Sequence, residues 1–113
     1  MPIKTKCKII KKEKLIDGIY KFSIDSKEIA KTAKPGNFLE IKVSYGDNTE
    51  PFLRRPISVY NIDRENGIVE FIFQIKGKGT KMLSERNVGD SLDILRPTSD
   101  MEHLAFLIIR KLL

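Results

Sequence analysis

Two short segments of this sequence collect residue types suited to an anionic ligand. The first is Leu53-Arg54-Arg55-Pro56-Ile57-Ser58-Val59-Tyr60, in which two adjacent arginines open a strand-like run that contains a proline. A guanidinium presents a planar fork of donors that matches phosphate oxygens. Ser58, three residues past Arg55, adds a small donor and acceptor. Pro56 cannot donate to a sheet ladder, so its strand belongs at an edge or beside a ligand. An edge strand with two simply solvated arginines would satisfy the same pattern.

The second segment is Lys76-Gly77-Lys78-Gly79-Thr80, between a β-rich run and a helix-forming one. Its glycines allow close approach of a ligand, and the free N–H groups of a helix start face outward toward an anion. Thr80 is placed to act as N-cap or phosphate contact, with Lys78 and Lys81 adding charge. The G-x-x-x-x-G-K-[ST] spacing of a P-loop is absent, and most glycine-rich strand-to-helix turns bind nothing. Two phosphate-directed segments about 20 residues apart carry more weight than either alone.

The elements that would position them are mostly strands. Thr5, Cys7 and Ile9 alternate with Lys4, Lys6 and Lys8, the period of two of a half-buried strand. Asp17-Gly18 turns the chain into Tyr20, Phe22 and Ile24, a hairpin partner. Ser26 caps a single helical turn through Ile29 and Ala30, which Pro35-Gly36 ends. Leu39, Ile41 and Val43 form a third strand, Gly46-Asp47-Asn48 a loop, and Leu53 to Tyr60 a fourth strand. The fifth, Ile68 to Ile75, is β-branched and aromatic and follows the Glu65-Asn66-Gly67 turn. Thr80 to Arg86 reads as a short helix, and Val88-Gly89-Asp90 leads into the sixth strand, Ser91 to Leu95. Six short strands with one helix before the last predict an all-β fold, a small closed or nearly closed antiparallel barrel.

The remaining arithmetic excludes several classes. At 113 residues, 41% hydrophobic and 32% charged, the chain supports one domain with a core. The net charge of +6 is local: residues 1–34 hold ten lysines against four acids, whereas residues 35–113 balance eleven bases and eleven acids. Cys7 is the only cysteine, so no disulfide and no cysteine-rich zinc or iron–sulfur site forms within one chain. Cys7 is expected to be a small inward-facing strand residue. His103 is the only histidine and no catalytic motif surrounds it, so it is expected on a helix surface. Lysines interrupt any signal-peptide core, and no run approaches the roughly 18 apolar residues of a membrane span. The expectation is a soluble, cytoplasmic protein with no catalytic residue of its own and no metal site. Residues 98–113 differ in kind: Met101, Leu104, Leu107, Ile108 and Leu112 mix helical spacing with an almost continuous apolar run. A helical tail there must pack on the barrel, on another copy, or on nothing native, which makes a homo-oligomer one expectation.

Pro35-Gly36-Asn37-Phe38, Arg54 to Tyr60, Phe71 to Lys81 and Gly89 to Leu95 together resemble the ferredoxin–NADP reductase superfamily, and within it the electron-transfer subunits of dihydroorotate dehydrogenases. The resemblance covers residues 4 to about 97. It implies a six-stranded antiparallel Greek-key barrel that binds FAD, over residues 1–97, in an NADH-linked oxidoreductase subunit of pyrimidine biosynthesis. By the match, Arg55 contacts the FAD pyrophosphate, Pro56 and Ile57 shape the flavin side, and Ser58 lies near the isoalloxazine and ribityl chain. Ile72, Phe73 and Gln74 line the cofactor, and Gly79 and Thr80 complete the phosphate cradle. The superfamily often has Tyr where Ile57 stands; Tyr60 or Phe73 could supply a ring instead. The implied partner is an FMN-containing catalytic dihydroorotate dehydrogenase subunit.

The family also carries a nicotinamide-binding domain and a cysteine cluster for a [2Fe–2S] centre. Neither is present here, Cys7 cannot ligate a cluster alone, and Arg96-Pro97-Thr98-Ser99-Asp100 departs from the family pattern. The chain is therefore expected to hold the flavin and not to oxidise NADH efficiently by itself. A second reading is a basic β-barrel that binds nucleic acid or an acidic protein partner through its lysine-rich start. The first two strands offer no platform of exposed aromatics for stacking bases, so those lysines are more simply a solvated face that discourages edge pairing.

Overall fold

The computed structural model describes residues 3–43 and 54–96, less the side chains of Ile3 and Arg96. The loop at Gly46-Asp47-Asn48, His103, and the tail with its boundary after residue 97 lie outside the described residues. Strand β1 runs over Ile3–Ile16, well beyond the alternation at its start. Register irregularities between Ile9 and Lys11 and between Lys14 and Ile16 break the period of two without ending the strand. Gly18, at φ 82°, makes the turn into β2 (Ile19–Asp25), completing the expected hairpin.

Helix α1 (Lys27–Thr32) is capped as its sequence predicts. The Ser26 Oγ accepts the Ile29 N–H at 3.1 Å, and the element is a short helix rather than one turn. Ser26→Ala is expected to cost about 1 kcal/mol in urea unfolding, the usual loss for an N-cap oxygen. Strands β3 (Phe38–Lys42), β4 (Arg54–Asp63) and β5 (Ile68–Gln74) follow, then α2 (Lys78–Ser84) and β6 (Ser91–Arg96). The fold thus has two short helices. The second starts two residues earlier than the Thr80–Arg86 reading, because Gly77 and not Thr80 is its N-cap.

The strands close into a barrel in the order β1-β2-β5-β4-β3-β6. Every pairing is antiparallel, and the β2–β5 and β3–β6 neighbours give the Greek-key crossing. Phe22, Ile24, Leu39, Ile41, Val69, Phe71, Leu92 and Ile94 are fully buried, and Leu83 of α2 joins them. Each such side chain contributes about 1.5–3 kcal/mol by leaving water. Cys7 faces inward, as predicted. Lys4, Lys6 and Lys8 are exposed on the outer face. No helix among the described residues is long and apolar enough to cross a membrane.

One departure from regular pairing shapes the rest. Strands β4 and β5 pair only from Val59↔Phe71 to Asp63↔Ile68, with an irregularity between Val59 and Asn61. Below it, Arg54 to Ser58 pair with β3 alone and Ile72 to Gln74 with β2 alone. The two strands diverge there, and the wall of the barrel opens outward into a cleft.

Candidate functional site

The cleft has a volume of about 550 Å³ and is lined by Phe38, Arg55, Pro56, Ile57, Ser58, Ile72, Phe73, Gln74, Lys76, Gly77 and Thr80. That volume lies within the usual range of small-molecule sites. Eight of the nine residues expected to bind a cofactor line it. The ninth, Gly79, sits behind Arg55: a Cβ at position 79 would lie 3.0 Å from the Arg55 Nε and 3.1 Å from the Val43 Cγ2. The two segments picked out for phosphate chemistry are therefore in contact. Glycine is needed at 79 for space, since its φ is not in the left-handed region.

The adjacent arginines have opposite surroundings. Arg54 donates from Nη2 to Asp93 Oδ1 at 2.8 Å, and from Nη1 to the backbone carbonyls of Asp93 and Glu40 at 3.0 and 3.3 Å. Lys4 approaches the other oxygen of the same carboxylate, at 3.7 Å. Arg55 is half-buried with no hydrogen-bond or ion-pair partner among the described residues. Strand alternation explains the split: successive side chains face opposite sides. Arg54 turns to the outer seam, and Arg55 turns to the barrel mouth under α2. The solvated-edge reading thus holds for neither arginine.

Alternation also accounts for Pro56. Val59 donates its N–H to the Asn37 carbonyl at 2.7 Å and accepts the Gly36 N–H at 2.9 Å, so its backbone faces β3. The backbone groups of Ser58 and the carbonyl of Pro56 then face the gap toward β5. The missing N–H of Pro56 falls where no strand requires it. The strand is not a sheet edge, because the barrel is closed, and Pro56 lines the cleft.

Thr80 requires a correction. Its Oγ1 accepts the N–H groups of Lys76 and Gly77 at 2.8 and 3.1 Å and lies 3.2 Å from the Gly77 carbonyl, to which it can donate. It is the third residue of α2, reaching back to tie the turn that leads into the helix, instead of capping from in front. The hydroxyl is occupied with shaping that turn.

Three lining residues were not among the expected contacts: Phe38, Lys76 and Gly77. Phe38 is revealed by register alone, since it pairs with Ser58 across the β3–β4 ladder. It brings to the cleft a ring that lies beside the position of Ile57. Tyr60 is 56% exposed and outside the lining, and Phe73 is nearly buried, edge-on to Phe22 at 5.2 Å. Phe38 is half-buried and forms part of the wall. Among the described residues the lining contains two cations, Arg55 and Lys76, and no carboxylate. Cys7 is remote in character: burial pushes its thiol pKa up, which keeps it protonated and unreactive.

Residues 6–103 match the family described as the oxidoreductase FAD-binding domain. The chain belongs to that family. Among curated relatives of this FAD-binding domain, the electron-transfer subunit of dihydroorotate dehydrogenase B (NAD(+)) from Desulforamulus reducens is 36% identical over 78 residues, 69% of this chain and 29% of the relative. The Lysinibacillus sphaericus subunit of the same name is 34% identical over 92 residues, 81% of this chain and 35% of the relative. The chain thus spans about a third of the length of these relatives. Among solved structures, an NADH-dependent reduced ferredoxin-NADP oxidoreductase superposes with a TM-score of 0.70 at 30% identity, over 80% of this chain and 32% of that one. The ferredoxin reductase of carbazole 1,9a-dioxygenase, at 20% identity and a TM-score of 0.67, shares the fold.

Within this FAD-binding domain the Gly79 contact makes a sharp expectation. Gly79→Ala favours the helix by about 0.5–1 kcal/mol but forces Arg55 aside. The variant is expected to melt near the parent, because crowding of the buried Val43 offsets the helix gain, while binding FAD several-fold more weakly, as read by thermal denaturation and flavin titration.

Proposed function

We propose that the cleft between β4 and β5 holds FAD, and that the chain is the flavin-carrying part of an NADH-linked electron-transfer subunit serving dihydroorotate oxidation. The observation that carries the reading is Arg55: a guanidinium with no partner among the described residues, seated against a glycine in a cleft that also presents Phe38, Ile57 and Ile72. The residues present suit the group. Arg55 is placed to hold the pyrophosphate, with Gly79 leaving room and Lys76 adding charge. Phe38, Ile57 and Ile72 offer an apolar wall to a ring system, and the gap-facing backbone of Ser58 offers it a donor and an acceptor.

FAD held there would supply exchange between two-electron and one-electron carriers. The chain's own residues bind and orient it and exclude water from one face. The partner implied by the relatives' names is a catalytic dihydroorotate dehydrogenase subunit, with FMN as its cofactor, and the corresponding location is the cytoplasm. The lysine-rich surface offers less to nucleic acid than its charge suggests, because Lys4, Lys11, Lys14 and Lys21 each pair with a carboxylate.

An absorbance spectrum of the protein after incubation with FAD and desalting, with mass spectrometry of the released cofactor, tests the reading. Flavin bands and FAD released in near-stoichiometric amount are expected. Protein that stays colourless and does not quench flavin fluorescence at micromolar concentration overturns it.

A further inference from the structure

We propose that Arg54 is a positioning residue for FAD binding: it touches no cofactor, yet it clamps the start of β4 so that Arg55 is held over Gly79. The proposal rests on the assignment of the cleft to FAD and goes one step deeper into it.

Among the described residues barrel closure is thinnest between β3 and β6, which are paired at two positions, Glu40↔Leu95 and Ile41↔Ile94. Arg54 belongs to β4, on the far side of β3. Its guanidinium nonetheless reaches over β3 to β6, bonding Glu40 on the way and gripping Asp93 by both carboxylate and carbonyl. One side chain thus ties three strands at their weakest seam. The next residue along the same strand is Arg55, whose register partner Ile41 is one of the two β3 residues paired with β6.

Arg55 needs such a hold. On its β5 side the strand has no ladder at this level, since β4–β5 pairing begins only at Val59. With β5 absent as a support, the position of the Arg55 backbone depends on β3 and on whatever fixes β3 to β6. The Arg54 side chain, 21% exposed, and the Asp93 side chain, 16% exposed, are withdrawn enough from water for the pair to be geometrically firm.

The test titrates the full chain into FAD and, separately, into riboflavin, which has the ring but no phosphate, and follows quenching of flavin fluorescence. The proteins are the parent, Arg54→Ala, Asp93→Asn, Arg55→Ala and the Arg54→Ala/Arg55→Ala double variant. Arg54→Ala and Asp93→Asn are each expected to lower FAD affinity about tenfold, within the range of coupling between neighbouring groups, and to leave riboflavin affinity unchanged. In the Arg55→Ala background, Arg54→Ala is expected to cost nothing further.

Asp93→Asn also separates positioning from charge. It removes a negative charge, so a through-space effect on the phosphates would raise FAD affinity, whereas loss of the clamp lowers it. It decides the matter if Arg54→Ala does not fold. Parent-like FAD affinity in folded Arg54→Ala or Asp93→Asn overturns the proposal, as does an Arg54→Ala loss of the same size with and without Arg55. If Arg55→Ala itself binds FAD like the parent, the cleft assignment is what has failed.

Discussion

Arg55→Ala is expected to bind FAD about 10- to 150-fold more weakly, the loss of a hydrogen bond to a charged group worth about 1.5–3 kcal/mol. Two features make the effect large. The guanidinium sits in a cleft whose described lining has apolar side chains and no carboxylate, so the field at a phosphate is less screened than at an open surface. It also has no partner among the described residues, so none of their contacts has to be broken before it engages an anion. For the same reason the stability cost is expected to be small, within about 0.5 kcal/mol of the parent in urea unfolding. Arg55→Lys keeps the charge but loses the planar fork, and is expected to recover only part of the affinity. Isothermal titration with FAD and with riboflavin checks this, because riboflavin binding should not respond. Parent-like FAD affinity in Arg55→Ala would remove the guanidinium from the phosphate site.

Arg54→Ala is expected to do its largest damage to stability, at about 2–3 kcal/mol in urea unfolding with an unchanged m-value. The substitution removes three hydrogen bonds at once. Among the described residues it leaves Asp93 with Lys4 as its ion-pair partner, at 3.7 Å, a pair whose lysine is 64% exposed and therefore well screened. The figure lies below that for a fully enclosed ion pair because both side chains retain some water contact. Glu40 moves the same way: burial pushes its carboxyl pKa up while Arg54 pulls it down, so without Arg54 the upward push is unopposed. A change in the urea midpoint of less than a quarter of the expected size would show that the seam is held by the β3–β6 ladder alone. One position apart in sequence, the two arginines should therefore differ in their readouts, Arg55→Ala in affinity alone and Arg54→Ala in stability as well as in the affinity that depends on Arg55.

Much of the barrel is legible in local pattern. The alternation of Thr5, Cys7 and Ile9 with lysines, the Asp17-Gly18 turn, the Ser26 cap and the β-branched run from Ile68 all depend on interactions within a few residues. They appear in the structure where they were expected. The boundaries that moved did so for reasons beyond that range. Strand β1 continues past its period because irregularities shift its register against β2. Helix α2 begins at Lys78 because Thr80 bonds backward to Lys76 and Gly77, a choice that a threonine near a helix start does not disclose.

The site divides along the same line. Sequence by itself determined its chemistry: Arg55 beside Pro56, Ser58 close behind, and a glycine-rich turn before a short helix are residue types read from their own side chains and spacing. Only the tertiary structure decided which arginine faces the ligand. Arg54 and Arg55 are chemically identical, and the facing strands alone give one of them Asp93 and the other an open cleft. Phe38 was hidden for the same reason, since its place in the wall comes from a pairing with Ser58 across twenty residues of chain. The cleft itself is a failure of pairing between β4 and β5. A gap between strands is a property of how distant segments meet in space, and no local pattern along either strand records it.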